Sequence, residues 1–182
     1  MTKNLIVCLF FAIGMSAGVQ AADASFQLSL LPDVAIHSSS TTISGFSLNI
    51  WGMNPQERSL AIGFVNGSYG DSSGVSLGGI NYSENYTGTQ LGLLNIATTD
   101  FFGWQAGILN VTSDTCSGFQ LGLLNYAGRL TGLQLGLFNM AAQAQSGMQI
   151  GVINLLPENR YWFSAGLANE VAPVMVLINW RR

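Results

Sequence analysis

The feature that most constrains this chain is a tandem repeat with a period of 14 or 15 residues. Eight asparagines mark the ends of successive units, at Asn66, Asn81, Asn95, Asn110, Asn125, Asn139, Asn154 and Asn169. The units follow the pattern G-x-Q-φ-G-φ-φ-N, in which φ is an apolar residue, and six or seven variable residues come after it. Recurrence at a fixed interval predicts a repeat architecture, in which each unit is one structural element stacked on the next.

The units differ in how closely they follow the pattern. Weaker copies lie at 59–66 and 162–169, and in the first unit, 45–52, the second glycine and the asparagine are exchanged. We therefore assign 45–169 to a repeat domain of about nine units. The recurring positions of the clearest units are Gly74, Gly78, Asn81, Gly88, Gln90, Gly92, Asn95, Gly103, Gln105, Gly107, Asn110, Gly118, Gln120, Gly122, Asn125, Gly132, Gln134, Gly136, Asn139, Gly147, Gln149, Gly151 and Asn154.

Hydrophobicity alternates with a period of two inside each unit. Phe119 and Leu121, for example, alternate with Gly118 and Gln120. Such alternation is typical of a β-strand. The connectors between units are rich in turn-forming residues such as those at 113–114. The sequence therefore predicts an all-β fold.

A parallel β-solenoid is the architecture that the repeat favours. Each unit would then form one coil, and equivalent residues would stack at about 4.8 Å. In this arrangement we expect the positions equivalent to Leu121 to fill a dry interior. The amides equivalent to Gln120 and Asn125 would form hydrogen-bonded ladders along the stack.

An antiparallel meander closed into a small outer-membrane barrel is the alternative. A strand with a short turn also fits the period, and alternating hydrophobicity is typical of such barrels. The connectors do not alternate between long and short, however, and the aromatic residues form no evident girdle. We therefore favour the solenoid and retain the barrel as the second possibility.

The N-terminus has the features of a secretory signal peptide. A short segment with one positive charge, Lys3, precedes an apolar run that begins at Leu5, and Val19-Gln20-Ala21 has the form of a cleavage site. We expect residues 1–21 to be removed on export across the inner membrane. The mature protein would then reside in the periplasm, in the outer membrane or at the cell surface.

Both ends of the mature chain differ from the repeat. Residues 22–44 contain a strand-like segment and a Ser/Thr-rich loop, which we interpret as an N-terminal cap. Residues 170–182 contain an alternating segment after Pro173, which we interpret as a C-terminal capping strand. Atypical ends are expected because the open edges of a stack must be covered.

Composition and the scarcity of reactive side chains limit the chemistry of the chain. The net charge is −3 and the pI about 4.8, which argues against nucleic-acid binding. His37 is the single histidine, and Cys116, expected to be a partly exposed thiol, is the single cysteine outside the leader. No nucleophile elbow, metal-ligand set or phosphate-binding loop is evident. We therefore expect no enzymatic activity, no metal and no cofactor.

The tandem units from Gly74 to Asn154 resemble a family of bacterial exported surface-repeat proteins. The initial segment 26–30, the unit 45–49 and the proline-led ending 173–180 share in that resemblance. It implies an envelope protein without an established activity. We therefore expect a non-enzymatic structural or interaction protein of the bacterial cell envelope, with an unidentified protein, glycan or envelope component as its partner. A small integral outer-membrane barrel is again the alternative.

Overall fold

The computed structural model describes residues 23–156 and, for the backbone alone, residues 174–181. Within these described residues, nine strands form one sheet in the order β2-β1-β3-β4-β5-β6-β7-β8-β9. The strands are β1 Asp23–Leu31, β2 Val34–Ala35, β3 Thr42–Asn54, β4 Arg58–Ser68, β5 Asp71–Ser83, β6 Asn85–Ala97, β7 Phe101–Ala144, β8 Gly147–Leu155 and β9 Val174–Arg181. β7 is long because it runs without interruption through three repeat units.

The repeat units stack in parallel with a matching register. From β3 to β8 each strand is parallel to the next, and Asn81 lies opposite Asn95 while Gln90 lies opposite Gln105. This confirms the β-solenoid. The barrel alternative is wrong because an up-and-down meander requires antiparallel neighbours.

Antiparallel strands pair with the last strand of the parallel stack over most of its length and with the C-terminal part of the first strand. β2 pairs with β1 at the N-terminal end, and β9 pairs with β8 at the C-terminal end. Covered edges leave fewer unpaired backbone groups for association with other chains. The predicted signal peptide, 1–21, and the weak unit at 162–169 lie outside the described residues.

The interior is filled by amide side chains, which corrects one prediction. Gln120 is 0% exposed, whereas Leu121 is 43% exposed. The positions equivalent to Leu121 therefore face outward and do not fill the interior. Ladders of stacked amides can be buried because each amide is hydrogen-bonded to its equivalent in the next coil.

The asparagines form one continuous hydrogen-bonded ladder. In each rung the Nδ2 group donates to the Oδ1 atom of the asparagine in the next coil toward the C-terminus, at 2.7–3.0 Å. From Asn66 to Asn139 the Nδ2 group also donates to a backbone carbonyl of that next coil. The members are Asn49, Asn66, Asn81, Asn95, Asn110, Asn125, Asn139 and Asn154.

The glutamines form a second ladder with the opposite polarity. From Gln105 to Gln149, each Nε2 group donates to the Oε1 atom of the preceding coil, at 2.7–2.9 Å. The Gln90 amide, at the N-terminal end of this ladder, donates to Ser83 Oγ at 3.2 Å. Since the two ladders point in opposite directions along the stack, their amide dipoles oppose each other.

The asparagine ladder explains the second glycine of the repeat. A Cβ atom at Gly122 would lie 2.6 Å from Asn110 Nδ2 and 2.8 Å from the carbonyl oxygen of Gly107. The first unit shows the same constraint in exchanged form. There Asn49 lies opposite Gly63 and Gly52 lies opposite Asn66, and the Asn49 side chain occupies the space that a Cβ atom at Gly52 would need.

The first glycine of the repeat is required by backbone conformation and by the spacing of the coils. Gly74 and Gly103 have φ values of 116° and 130°, which side-chain-bearing residues rarely adopt. A Cβ atom at Gly103 would also collide with the carbonyl oxygen of Gly88 in the preceding coil.

An apolar strip lies inside the stack beside the amide ladders. Tyr86 and Phe101 stack with ring centroids 6.2 Å apart. Small residues at Ala97, Ala127 and Ala141 belong to the same cluster. The other members are Cys116, Leu130, Ala144 and Leu156. The hydrophobic core is therefore narrow, and the amide ladders fill much of the remaining interior.

Substituting the second glycine should destabilise the stack far more than substituting a glycine on the outer side. In Gly122→Ala, the new methyl group must displace the Asn110 amide or the neighbouring coil, so we expect the free energy of unfolding to fall by at least about 2 kcal/mol. Gly79→Ala is the control, since the nearest atom to its Cβ would be the Phe64 carbonyl oxygen at 3.1 Å. Urea unfolding followed by circular dichroism measures both. Equal losses would contradict this account of the second glycine.

Breaking one rung of the asparagine ladder should have a comparable effect. Asn125→Leu removes the donor to Asn139 Oδ1 and to the Leu135 carbonyl oxygen while keeping the branched arrangement of side-chain heavy atoms. Because buried acceptors then lack donors, we expect a loss of about 2–3 kcal/mol in unfolding free energy. Leu in place of the exposed Gln143 is the matched control, for which we expect a change within about 0.5 kcal/mol. A loss in Asn125→Leu no larger than in the control would show that the ladder contributes little.

Candidate interaction surface

The outer side of the solenoid carries continuous rows of exposed apolar side chains. One row consists of the residues after the first glycine, and two more consist of the residues on either side of the second glycine. Trp104, Leu93 and Leu123, one from the first row and two from the last, are 65%, 57% and 50% exposed. We call these three rows the apolar face. Its most exposed members are Leu48, Ile50, Leu60, Ile62, Phe64, Val75, Leu91, Leu93, Trp104, Ile108, Leu121, Leu123, Leu137, Met148 and Val152.

The composition of the apolar face is nearly uniform. From the unit that begins at Gly45 to the unit that begins at Gly147, no position in the three rows carries a charge. Thr89 is the single polar side chain among them, and Gly79 is the single glycine. Soluble monomers rarely expose a contiguous apolar patch of this kind unless it serves as an interaction site.

A shallow groove of about 850 Å³ lies within the apolar face. Its floor includes the second glycines of four consecutive units, and its walls are the apolar residues on either side of them. Ala106 lines one end of the groove and is smaller than the residues found at this position in the following coils. The second glycines therefore accommodate the amide ladder on the inside and line the groove on the outside.

The connectors form a polar surface that differs sharply from the apolar face. Asn85 Oδ1 accepts a hydrogen bond from the backbone of Asp100 at 3.2 Å, and Asp100 Oδ1 accepts one from the backbone of Thr115 at 3.1 Å. Asn85 Nδ2 also donates to Asp71 Oδ1 at 3.0 Å. These polar side chains thus join successive connectors. Four exposed carboxylates lie in the connectors, against two exposed arginines, so this surface is negative: Asp71, Glu84, Asp100 and Asp114, with Arg58 and Arg129.

Glu57 is a carboxylate buried inside the stack. It accepts hydrogen bonds on Oε1 from Ser59 Oγ at 2.8 Å and from Ser47 Oγ, and its backbone N–H donates to Ser72 Oγ at 3.0 Å. Burial raises the pKa of Glu57 above its ordinary value of 4.5, and the serine hydrogen bonds oppose this rise. Burial raises the pKa of the Tyr86 hydroxyl, and the nearby negative charge of Glu57 raises it further.

Glu57 occupies a gap in the glutamine row. The positions opposite Gln90 in the preceding coils are Ser76, Ala61 and Ser47, all shorter than glutamine. A small cavity lined by Glu57, Ala61, Ser76 and Gln90, among others, lies in this gap. The ladder is therefore replaced here by a carboxylate with hydroxyl partners.

Cys116 is buried in the stack, and His37 takes part in the structure through its backbone. Cys116 is 0% exposed, so the prediction of a partly exposed thiol is wrong, and burial raises its pKa to about 12. The His37 backbone donates to Gln27 Oε1 at 3.0 Å and accepts from Gln27 Nε2 at 3.1 Å. The His37 backbone thereby provides both hydrogen-bond partners for the side-chain amide of Gln27, which lies at the N-terminal end of the stack. Within residues 23–156, no three His, Cys, Asp or Glu side chains are grouped as metal ligands would be.

No known protein family, curated protein or solved structure matches this chain. The described residues contain no helix that is long and apolar enough to cross a membrane. The interaction surface is therefore inferred from geometry alone.

The sequence predicted the repeat positions but assigned the apolar residues to the wrong side. Alternation with a period of two separates two faces without stating which one is buried. A signal for the correct assignment was present in the variation among units. The glutamine position is constant from Gln90 to Gln149, as an interior ladder requires, whereas the next position varies among Leu91, Ala106 and Ile150.

The buried carboxylate predicts a specific pH dependence. The pKa of Glu57 is higher in the folded than in the unfolded chain. Between pH 4.5 and the folded pKa, the folded state therefore binds more protons than the unfolded state does. Its stabilising contribution is complete below pH 4.5 and is lost as the pH rises through the folded pKa. We expect Glu57→Gln to flatten the dependence of unfolding free energy on pH across that window and to be more stable than the wild type above it. Urea unfolding at a series of pH values measures this.

The control for this prediction is Gln143→Asn, which alters an exposed side chain without removing a titratable group. We expect its pH profile to stay parallel to that of the wild type. A Glu57→Gln profile parallel to the wild type would show that Glu57 gains no proton affinity on folding.

Proposed function

We propose that this chain is a non-enzymatic structural or interaction repeat protein of the bacterial cell envelope. The observation that carries the proposal is the apolar face, which extends over successive coils and presents its side chains to solvent. A rigid stack that presents the same row of side chains from each coil suits recognition of an extended partner surface.

The envelope location is supported by the leader and by the resemblance of the tandem units to exported surface-repeat proteins. Residues 1–21 have the charge, apolar run and small-residue ending that secretion requires. An exported chain with a single cysteine outside its leader cannot form an internal disulfide. In place of a disulfide, the continuous ladders of backbone and amide hydrogen bonds stabilise the fold.

A non-enzymatic role is supported by the positions of the reactive side chains. Cys116 and Glu57 are buried in the stack, and burial raises the pKa of the Cys116 thiol, which suppresses the nucleophilic thiolate. The exposed connector carboxylates Asp71 and Asp100 bind neighbouring connector groups. Burial and these hydrogen bonds therefore give Cys116, Glu57, Asp71 and Asp100 structural roles.

Retention of the exported chain in the envelope tests this proposal. We expect the full-length protein, expressed in a Gram-negative host, to lose residues 1–21 and to fractionate with envelope membranes. The double variant Leu93→Gln, Leu123→Gln replaces two exposed residues of the apolar face, so we expect it to fold and to move into the soluble periplasmic fraction or the medium. N-terminal sequencing and immunoblotting of fractions provide the measurement.

The double variant Gln143→Ala, Gln145→Ala is the matched control, since it alters two exposed residues outside the three rows. We expect it to fractionate like the wild type. An uncleaved chain in the cytoplasm would refute the envelope role. An unchanged distribution of the Leu93, Leu123 variant would refute the role of the apolar face in retention.

A further inference from the structure

We propose that the apolar face binds a second copy of this chain, so that two solenoids pack face to face. This inference rests on the proposed function, because it names the partner of the same surface: the paired form is the one expected to be retained in the envelope, and variants that separate the two copies are expected to be released. Four properties of the described residues carry it: the periodicity of the rows, their area, the charge around them and the pairing of strands at the two ends of the stack.

The periodicity of the rows makes the face complementary to itself. The parallel register places equivalent side chains of neighbouring coils opposite each other, as Leu77 and Leu91 show. Each row therefore repeats at the strand spacing of about 4.8 Å along the stack. A second copy carries rows with the same spacing, so the side chains of two faces can interdigitate along their whole length. Paired sheets with in-register stacking form dry interfaces in this way.

The area of the face is sufficient for a stable dimer. Eight coils, from the unit that begins at Gly45 to the unit that begins at Gly147, extend over on the order of 35 Å at the strand spacing. Five residues of each coil, from the residue after the first glycine to the residue after the second glycine, span the three rows and occupy about 17 Å. The flat footprint is then about 600 Å² per copy, or about 1,200 Å² in total, which reaches the lower limit of specific interfaces.

The charge of the chain favours a protein partner over a lipid surface. Segments that bind anionic membrane surfaces usually carry lysine and arginine next to their apolar side. Here the connectors carry mainly carboxylates such as Asp71, Asp100 and Asp114, which anionic lipid headgroups repel. In a face-to-face dimer, these connectors can lie at a solvated rim around an apolar centre, as in specific interfaces.

The capped ends direct association to the face. β2 and β9 pair antiparallel with the first and last strands of the parallel stack. Growth of the sheet by addition of another chain is therefore hindered along β8 at the C-terminal end and along the part of β1 that β2 covers at the N-terminal end. The apolar rows remain as the surface on which a second copy can bury apolar area.

Sedimentation analysis of the mature chain tests the inference. We expect the wild type to sediment at twice the mass of one chain and to dissociate on dilution. Leu123→Glu places a carboxylate at a 50%-exposed position of the face, so we expect at least about 100-fold weaker dimerisation. Gln143→Glu adds the same charge at an exposed position outside the three rows and should remain dimeric. Circular dichroism checks that each variant is folded.

Two further measurements keep the test decisive. If Leu123→Glu does not fold, Leu123→Ser removes the same apolar contact without adding charge and should also weaken the dimer. Flotation with neutral and with anionic phospholipid vesicles tests the lipid alternative. A monomer at all concentrations, with or without vesicle binding, would overturn the proposal. Oligomers that both Leu123 variants leave unchanged would also overturn it.

The outcome can be separated from that of the proposed function. A purified dimer whose face variants dissociate, combined with a chain that is not retained in the envelope, would uphold self-association and refute the cellular role. Retention in the envelope by a monomeric chain would refute self-association and leave the cellular role intact.

Discussion

The hydrogen bond between the amides of successive coils is the interaction on which the rest of this structure depends. The asparagine Nδ2 group reaches both the asparagine Oδ1 atom and a backbone carbonyl of the next coil, as in Asn110 with Asn125 and Leu121. Both acceptors must therefore keep a fixed position relative to the donor. This requirement fixes the register of the coils, and it removes the side chain from the second glycine, where the amide lies.

The apolar face follows from the same interaction. In a strand, consecutive side chains point to opposite sides, so amides that are held inside place their neighbours outside. Gln120 is buried for this reason, and Leu121 and Phe119 point away from the ladder. An interior composed of self-satisfying amides needs few apolar residues beyond the strip near Phe101. The chain can then present to solvent the kind of side chain that most domains bury.

The fold could be predicted from the sequence to the extent that the repeat encodes it. The period, the alternation and the constant Gln and Asn positions together predict stacked parallel strands and amide ladders. Alternation could not predict which face of the strand is buried. Burial of the apolar residues would place Leu121 inside, whereas burial of the amide ladder places it outside. Burial of Cys116 was also missed, since the connector composition indicated an exposed turn whereas the chain there continues as β7. Glu57 was missed because the gap in the glutamine row is recognisable only once the coils are aligned in register.

The division between a constant interior and a variable exterior bears on what this surface can recognise. Substitutions on the inside are restricted by the ladder, whereas the outer position next to Gln can hold Leu91, Ala106 or Ile150 without altering any rung. The groove near Ala106 shows that such changes alter the contour of the face while the backbone register remains the same. The ladder therefore provides a rigid support of fixed spacing, and the specificity of binding depends on the sizes of the outward side chains.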